Sequence, residues 1–315
     1  MFTSKYIRRL KTHAQSIVLL CVLLLLAGCG GNKDSEKPRV VSTTNIVADL
    51  VNQLAGDKVE HITLMGPGID PHLYKAREGD AHRLDKADLI FYSGLHLEAK
   101  MQDIFEELSK SKPAIAVTRS IPKEKLMSPK EYEGNYDPHV WFDVSLWQYA
   151  VEEVAEGLRT LLPKEATFFT EQEKAYIKKL KQLEKELRKE LQAIPKTKRL
   201  LITAHDAFTY FGRAYGIKVL GLQGMSTASE AGTKDIQRLT QIILTQEIPC
   251  IFVETSVSVR QVEALQAAVE AKGGEVDIGM ELFSDALGEK DTPEGTYIGM
   301  VKHNVMAIVE GLSRK

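Results

Sequence analysis

Cysteine is nearly absent from this 315-residue chain: Cys21 and Cys29 lie near its start, and Cys250 stands alone in the remainder. No disulfide can therefore cross-link the body of the protein, and stability has to come from buried apolar surface. An excess of one charge sign is also missing, with 41 Lys and Arg against 43 Asp and Glu. No basic stripe with interleaved aromatics occurs, so nucleic acid is not an expected partner. Long apolar runs are missing too. The one candidate, residues 17–26, is too short and wrongly flanked for a membrane-spanning helix.

What the N-terminus does contain is an export signal. Lys5, Arg8, Arg9 and Lys11 precede the apolar run, and small residues then lead into Cys29. Leu26-Ala27-Gly28-Cys29 resembles a bacterial lipobox, in which the cysteine is lipidated and becomes the mature N-terminus. Residues 1–28 are expected to be a lipoprotein signal peptide, and the polar, charged segment 29–38 a lipidated tether. The mature protein is then held at a membrane surface by lipid on Cys29.

Beyond the tether, short apolar runs alternate with amphipathic stretches. Residues 39–43, 59–64, 89–93 and 114–117 read as strands, with helices over 46–54 and 76–86. Strand and helix in alternation predict a mostly parallel sheet flanked by helices. A helix over 146–162 carries Trp147, Val151, Val154 and Leu158 on one stripe. The longest helical signal follows. Thr170 and Glu173 form a capping-box pattern, Ile177, Leu180, Leu183, Leu187, Leu191 and Ile194 recur at steps of three and four, and Pro195 ends the run. Strands over 199–203, 219–222, 250–254 and 275–278, with helices over 206–215, 233–245 and 259–272, then repeat the first pattern. The fold class is α/β in two lobes, 39–162 and 196–315, joined by one long rigid helix over 163–195.

Chemistry is carried by a local device used twice. Asp70-Pro71-His72 and Asp137-Pro138-His139 each combine a fixed proline φ with an extended preceding residue, a stiff bend that aims one histidine. His72 follows the second strand, and His139 follows the fourth by a long loop. His205 directly follows the first strand of the second lobe, and Asp285 follows its last. Ligand sites of open α/β sheets lie beyond the carboxyl ends of strands and at domain interfaces. Three imidazoles and one carboxylate can close a shell around zinc or manganese. Competitors for a place in it are His96, just past the third strand, and Glu254, at a strand end of the second lobe. His61, His82 and His303 read as structural or solvated, and Cys250 as inert packing.

Five segments in order, residues 66–74, 94–98, 137–141, 203–208 and 295–300, resemble the metal-receptor lipoproteins of manganese and zinc ABC transporters, solute-binding protein family 9. The resemblance spans essentially the whole mature chain. It implies a monomeric receptor on the extracytoplasmic face, anchored through Cys29. The receptor holds Mn²⁺ or Zn²⁺ as transported ligand between its lobes and docks on permease subunits with a cytoplasmic ATPase. The family's ligand positions fall on His72, His139, His205 and Asp285. Strict manganese receptors often carry a glutamate where this chain has His205, and zinc receptors often carry a histidine-rich loop where residues 121–136 have no histidine. Imidazole ligands favour zinc over manganese at equilibrium.

Two other classes compete with this reading. A secreted zinc-dependent hydrolase needs an open metal position and a general base, and no His-Glu-x-x-His segment occurs. A surface adhesin would leave a repeat or a large apolar stripe, and neither is found in the sequence.

Overall fold

Val40 and Val41, both without solvent exposure, run through the middle of the first sheet, where an apolar strand can be covered on both faces. This strand, β1 (Arg39–Ser42), pairs in parallel with β2 (Glu60–Thr63) and β3 (Leu89–Tyr92), and β3 pairs with β4 (Ala114–Ala116). The order is β2-β1-β3-β4. The computed structural model describes residues 37–129 and 134–314. The expected signal peptide, Cys29 and all but the last two residues of the tether lie outside them. No described helix is long and apolar enough to cross a membrane.

Helices α1 (Asn45–Ala55), α2 (Glu78–Asp85) and α3 (Gln102–Leu108) intervene between the strands, and α4 (Val144–Leu161) follows. The Thr44 hydroxyl accepts from the Val47 N–H at the start of α1, and the Asp143 carboxylate accepts from the Ser145 N–H at the start of α4, as N-cap side chains do. The stripe expected on α4 is real: Trp147, Val151, Val154 and Leu158 have no exposure.

The long helix α5 (Ala166–Glu190) begins earlier than its capping pattern suggested. Pro163 opens a 3₁₀ turn over Pro163–Glu165 that feeds directly into it, since a proline φ suits a first helical turn. Thr170 is therefore interior, its hydroxyl donating to the Ala166 carbonyl, and Glu173 is taken by Arg159 at 2.5 Å. At about 1.5 Å per residue the helix is roughly 37 Å long, and it buries Phe169, Tyr176, Leu180, Leu183 and Leu187 along one side.

The second half has β5 (Leu200–Thr203) parallel to β6 (Lys218–Gly221) and β7 (Cys250–Ile251) parallel to β8 (Asp277–Ile278). The Phe252 N–H donates to the Ile202 carbonyl at 3.0 Å, tying the two pairs together. Helices α6 (Thr209–Tyr215), α7 (Thr233–Gln246), α8 (Arg260–Glu270) and α9 (Tyr297–Ser313) complete the chain. Helix α6 starts three residues later than expected. The Asp206 N–H is held by the Gly224 carbonyl and the Ala207 N–H by the His205 carbonyl, so these residues form a loop beneath His205. Gly216 closes α6 with φ +71°, a conformation glycine adopts without a Cβ penalty. Cys250 is fully buried, and burial pushes its thiol up to about 11, which keeps it unreactive.

One apolar cluster runs from Val40, Leu50 and Phe91 through Trp147, Leu180 and Leu187 to Phe208, Phe252 and Ile308. The two lobes thus share a core lined by α5. Prising them fully apart would expose that core to water, so large separations are strongly opposed.

Candidate metal centre

The two Asp-Pro-His triplets fold alike. In the first, the His72 N–H donates to Asp70 Oδ1 at 2.8 Å; in the second, the His139 N–H donates to Asp137 Oδ1 at 2.9 Å. Each aspartate closes a turn two residues onward, a habit of Asp side chains, and proline stiffens that turn from inside. The bends deliver both imidazoles to one place, with Nε2 atoms 3.3 Å apart.

His205 and Asp285 arrive from the second lobe. His205 Nε2 lies 3.3 Å from Asp285 Oδ2, His139 Nε2 lies 3.4 Å from Asp285 Oδ1, and His72 Nε2 lies 3.9 Å from Asp285 Oδ2. All four donor atoms fall within 4.8 Å of one another. A tetrahedral zinc with bonds near 2.0–2.1 Å separates its ligand atoms by about 3.3 Å. The His72–His139, His139–Asp285 and His205–Asp285 separations match that edge length, and His72–Asp285 is longer. His139 and His205 have no exposure, Asp285 1 % and His72 5 %. His205 Nε2 and Asp285 Oδ1 are buried without a hydrogen-bond partner among the described residues. Orphaned buried acceptors and donors are costly, and a cation within the ring would satisfy both.

The imidazoles are oriented from behind. Asp137 Oδ1 accepts from His139 Nδ1 at 2.7 Å, and Glu254 Oε2 accepts from His205 Nδ1 at 2.5 Å. A carboxylate can only accept, so each Nδ1 carries a proton and Nε2 is the nitrogen that faces the cluster. Glu254 Oε1 also accepts from the His205 N–H at 2.8 Å. Glu254 thus serves the cluster by holding His205. The other competitor, His96, is exposed and lies outside the cluster, on a left-handed turn with φ +64°. That turn is stapled by Glu98, which accepts from Thr43 Oγ1 and the Ser93 N–H. His61 is satisfied by Ser42 and Asn52, His303 by the Glu281 carbonyl, and His82 is exposed.

Loop 282–287, which carries Asp285, is clamped to the first lobe. Trp141 Nε1 donates to the Ser284 carbonyl at 3.1 Å, and Asn45 exchanges two hydrogen bonds with the Leu287 backbone. Nothing in the sequence signalled these cross-lobe bonds, because their partners lie more than 140 residues apart.

Burial lowers His72 to about 3, keeping it neutral. Burial also opposes charge on His139, but Asp137 and Asp285 overcome it and raise that group to about 9. Burial acts the same way on His205, and Glu254 and Asp285 drive it well above the ordinary range. Asp285 is pressed up by burial and pulled well below the carboxylate range by His205 and His139. At His139 and His205 an incoming metal therefore competes with protons. We expect protons to be released as metal binds, and affinity that climbs with pH. Calorimetry in buffers of different ionisation enthalpy reads their number directly, and a zero slope would contradict this charge state.

The sequence matches the family described as "ZnuA: Zinc-uptake complex component A periplasmic" over residues 40–311, and the chain belongs to that family. It is 48 % identical over 305 residues to the zinc-binding protein TroA of Treponema pallidum, covering 94 % of this chain and 98 % of that one. To the manganese-binding lipoprotein MntA of Bacillus subtilis it is 44 % identical over 298 residues, covering 93 % and 97 %. The solved structure of the periplasmic zinc-binding protein TroA superposes with a TM-score of 0.86 at 50 % identity, over 88 % of this chain and all of that one.

Proposed function

We propose that this protein is the extracytoplasmic receptor of an ABC importer for Zn²⁺ or Mn²⁺, holding the ion through His72, His139, His205 and Asp285. The observation that carries this reading is the ring of four buried donors within 4.8 Å, drawn from both lobes. Four protein ligands leave no open position for a reacting water, and such closed shells bind metal rather than perform hydrolysis with it. The protein is thus a non-enzymatic carrier. Relatives named as manganese-binding lipoproteins of ABC transporters support a lipid anchor at Cys29 and a permease as docking partner. The organisation into lobes 39–162 and 196–315 with a linking segment 163–195 belongs to the same reading. Three imidazoles and one carboxylate suit zinc at equilibrium, while cellular supply decides the cargo.

The test is competitive calorimetric titration of the full chain with Zn²⁺ and Mn²⁺ at one pH. One ion bound per chain, with zinc tighter, is expected. Absence of stoichiometric binding by either ion would refute the receptor assignment.

A further inference from the structure

Each triplet aspartate uses its second oxygen in the same way. Asp70 Oδ2 accepts from Thr227 Oγ1 at 2.6 Å, and Asp137 Oδ2 accepts from Thr209 Oγ1. Both threonines belong to the second lobe: Thr227 follows β6, and Thr209 opens α6. Both aspartates belong to the first. In each case one carboxylate joins the backbone of its own histidine, through Oδ1, to a hydroxyl of the opposite lobe, through Oδ2.

We propose that Thr227 and Thr209 are positioning residues that make the geometry of the metal cage depend on contact between the lobes. Their hydroxyls bond to the aspartates and not to a donor atom of the cluster. They act through the aspartates, which hold the turns that aim His72 and His139. The two arms differ in depth. At His139 the aspartate is 1 % exposed, also accepts from the imidazole Nδ1, and has its own carbonyl bonded by the Tyr210 hydroxyl. At His72 the aspartate reaches only the backbone N–H and the half-buried Thr227. The flanking residues Ile69 and Leu73 are 39 % and 50 % exposed. The Thr227 bond is therefore the accessible one, and its loss would free the turn bearing His72 while the other three ligands stay oriented. A receptor that must surrender its ion can use such a bond as the step that couples lobe contact to metal retention.

This inference rests on the metal-receptor reading, and the experiment separates the two. Zinc release from the full chain is timed with a chelating chromophore in wild type, Thr227→Val, Thr227→Ser and Thr209→Val, alongside melting with and without zinc. A single hydrogen bond of ordinary strength, spent on the bound state, corresponds to roughly five- to tenfold faster release. Thr227→Val should show that acceleration and a smaller zinc-induced rise in melting temperature, Thr227→Ser should restore both, and Thr209→Val should repeat the effect. In a His72→Ala background Thr227→Val should add nothing, because the bond then has no ligand to position. Release as slow as wild type in Thr227→Val, equal loss of melting temperature with and without zinc, or a serine variant as defective as valine would overturn the proposal. Failure of wild type to bind zinc would instead overturn the receptor reading itself.

Discussion

His205→Ala is expected to lower zinc affinity by about 100- to 1,000-fold. Structural zinc sites bind with on the order of 10–16 kcal/mol. An even share per ligand is about 2.5–4 kcal/mol, and each 1.4 kcal/mol is tenfold in affinity. The fold should survive. His205 lies outside the three apolar clusters, and the bond from the residue 205 N–H to Glu254 Oε1 remains available to alanine. Glu254 loses its imidazole partner, so some metal-free stability goes with it. Calorimetry with zinc, paired with circular dichroism of the metal-free variant, separates the two effects. Wild-type affinity in a folded variant would remove His205 from the ligand set.

Glu254→Gln is expected to cost about 10- to 100-fold in zinc affinity, the range found when a carboxylate behind a metal-bound histidine is altered. Glu254 offers two accepting oxygens, one to His205 Nδ1 and one to the His205 N–H. Glutamine offers one acceptor and one donor, so one of those N–H groups must face an amide N–H. The imidazole then loses its fixed tautomer or its aim. Asp285→Asn provides the comparison, since Asp285 sits among the Nε2 atoms. It should lose more affinity than Glu254→Gln. The reverse order would make Glu254 the ligand and Asp285 its support.

Much of this candidate site is legible in the sequence. Proline next to aspartate constrains the backbone through covalent geometry and short-range sterics, so two such triplets announce two aimed histidines. His205 and Asp285 were legible because apolar runs mark strands, and parallel sheets gather ligands at strand carboxyl ends. Where local patterns misled, a neighbour had intervened. Thr170 with Glu173 has the spacing of a helix start, yet Pro163 starts the helical path earlier and Arg159 claims the glutamate. Glu254 has the position and chemistry of a ligand, and only its distance to His205 Nδ1 shows that it sits behind that imidazole.

The sequence by itself determined the α/β order of elements, the long helix between the lobes and the residue types able to bind a metal. These follow from periodicity, backbone restriction and donor chemistry, all of which act within a few residues. Tertiary structure alone decided that the four donors converge to within 4.8 Å. It also placed Asp285 among the Nε2 atoms and Glu254 behind His205, and bonded threonines of one lobe to the triplet aspartates of the other. Those outcomes depend on contacts between residues 49 to 213 positions apart, set by how the two lobes pack around a shared core, and no local pattern encodes that packing.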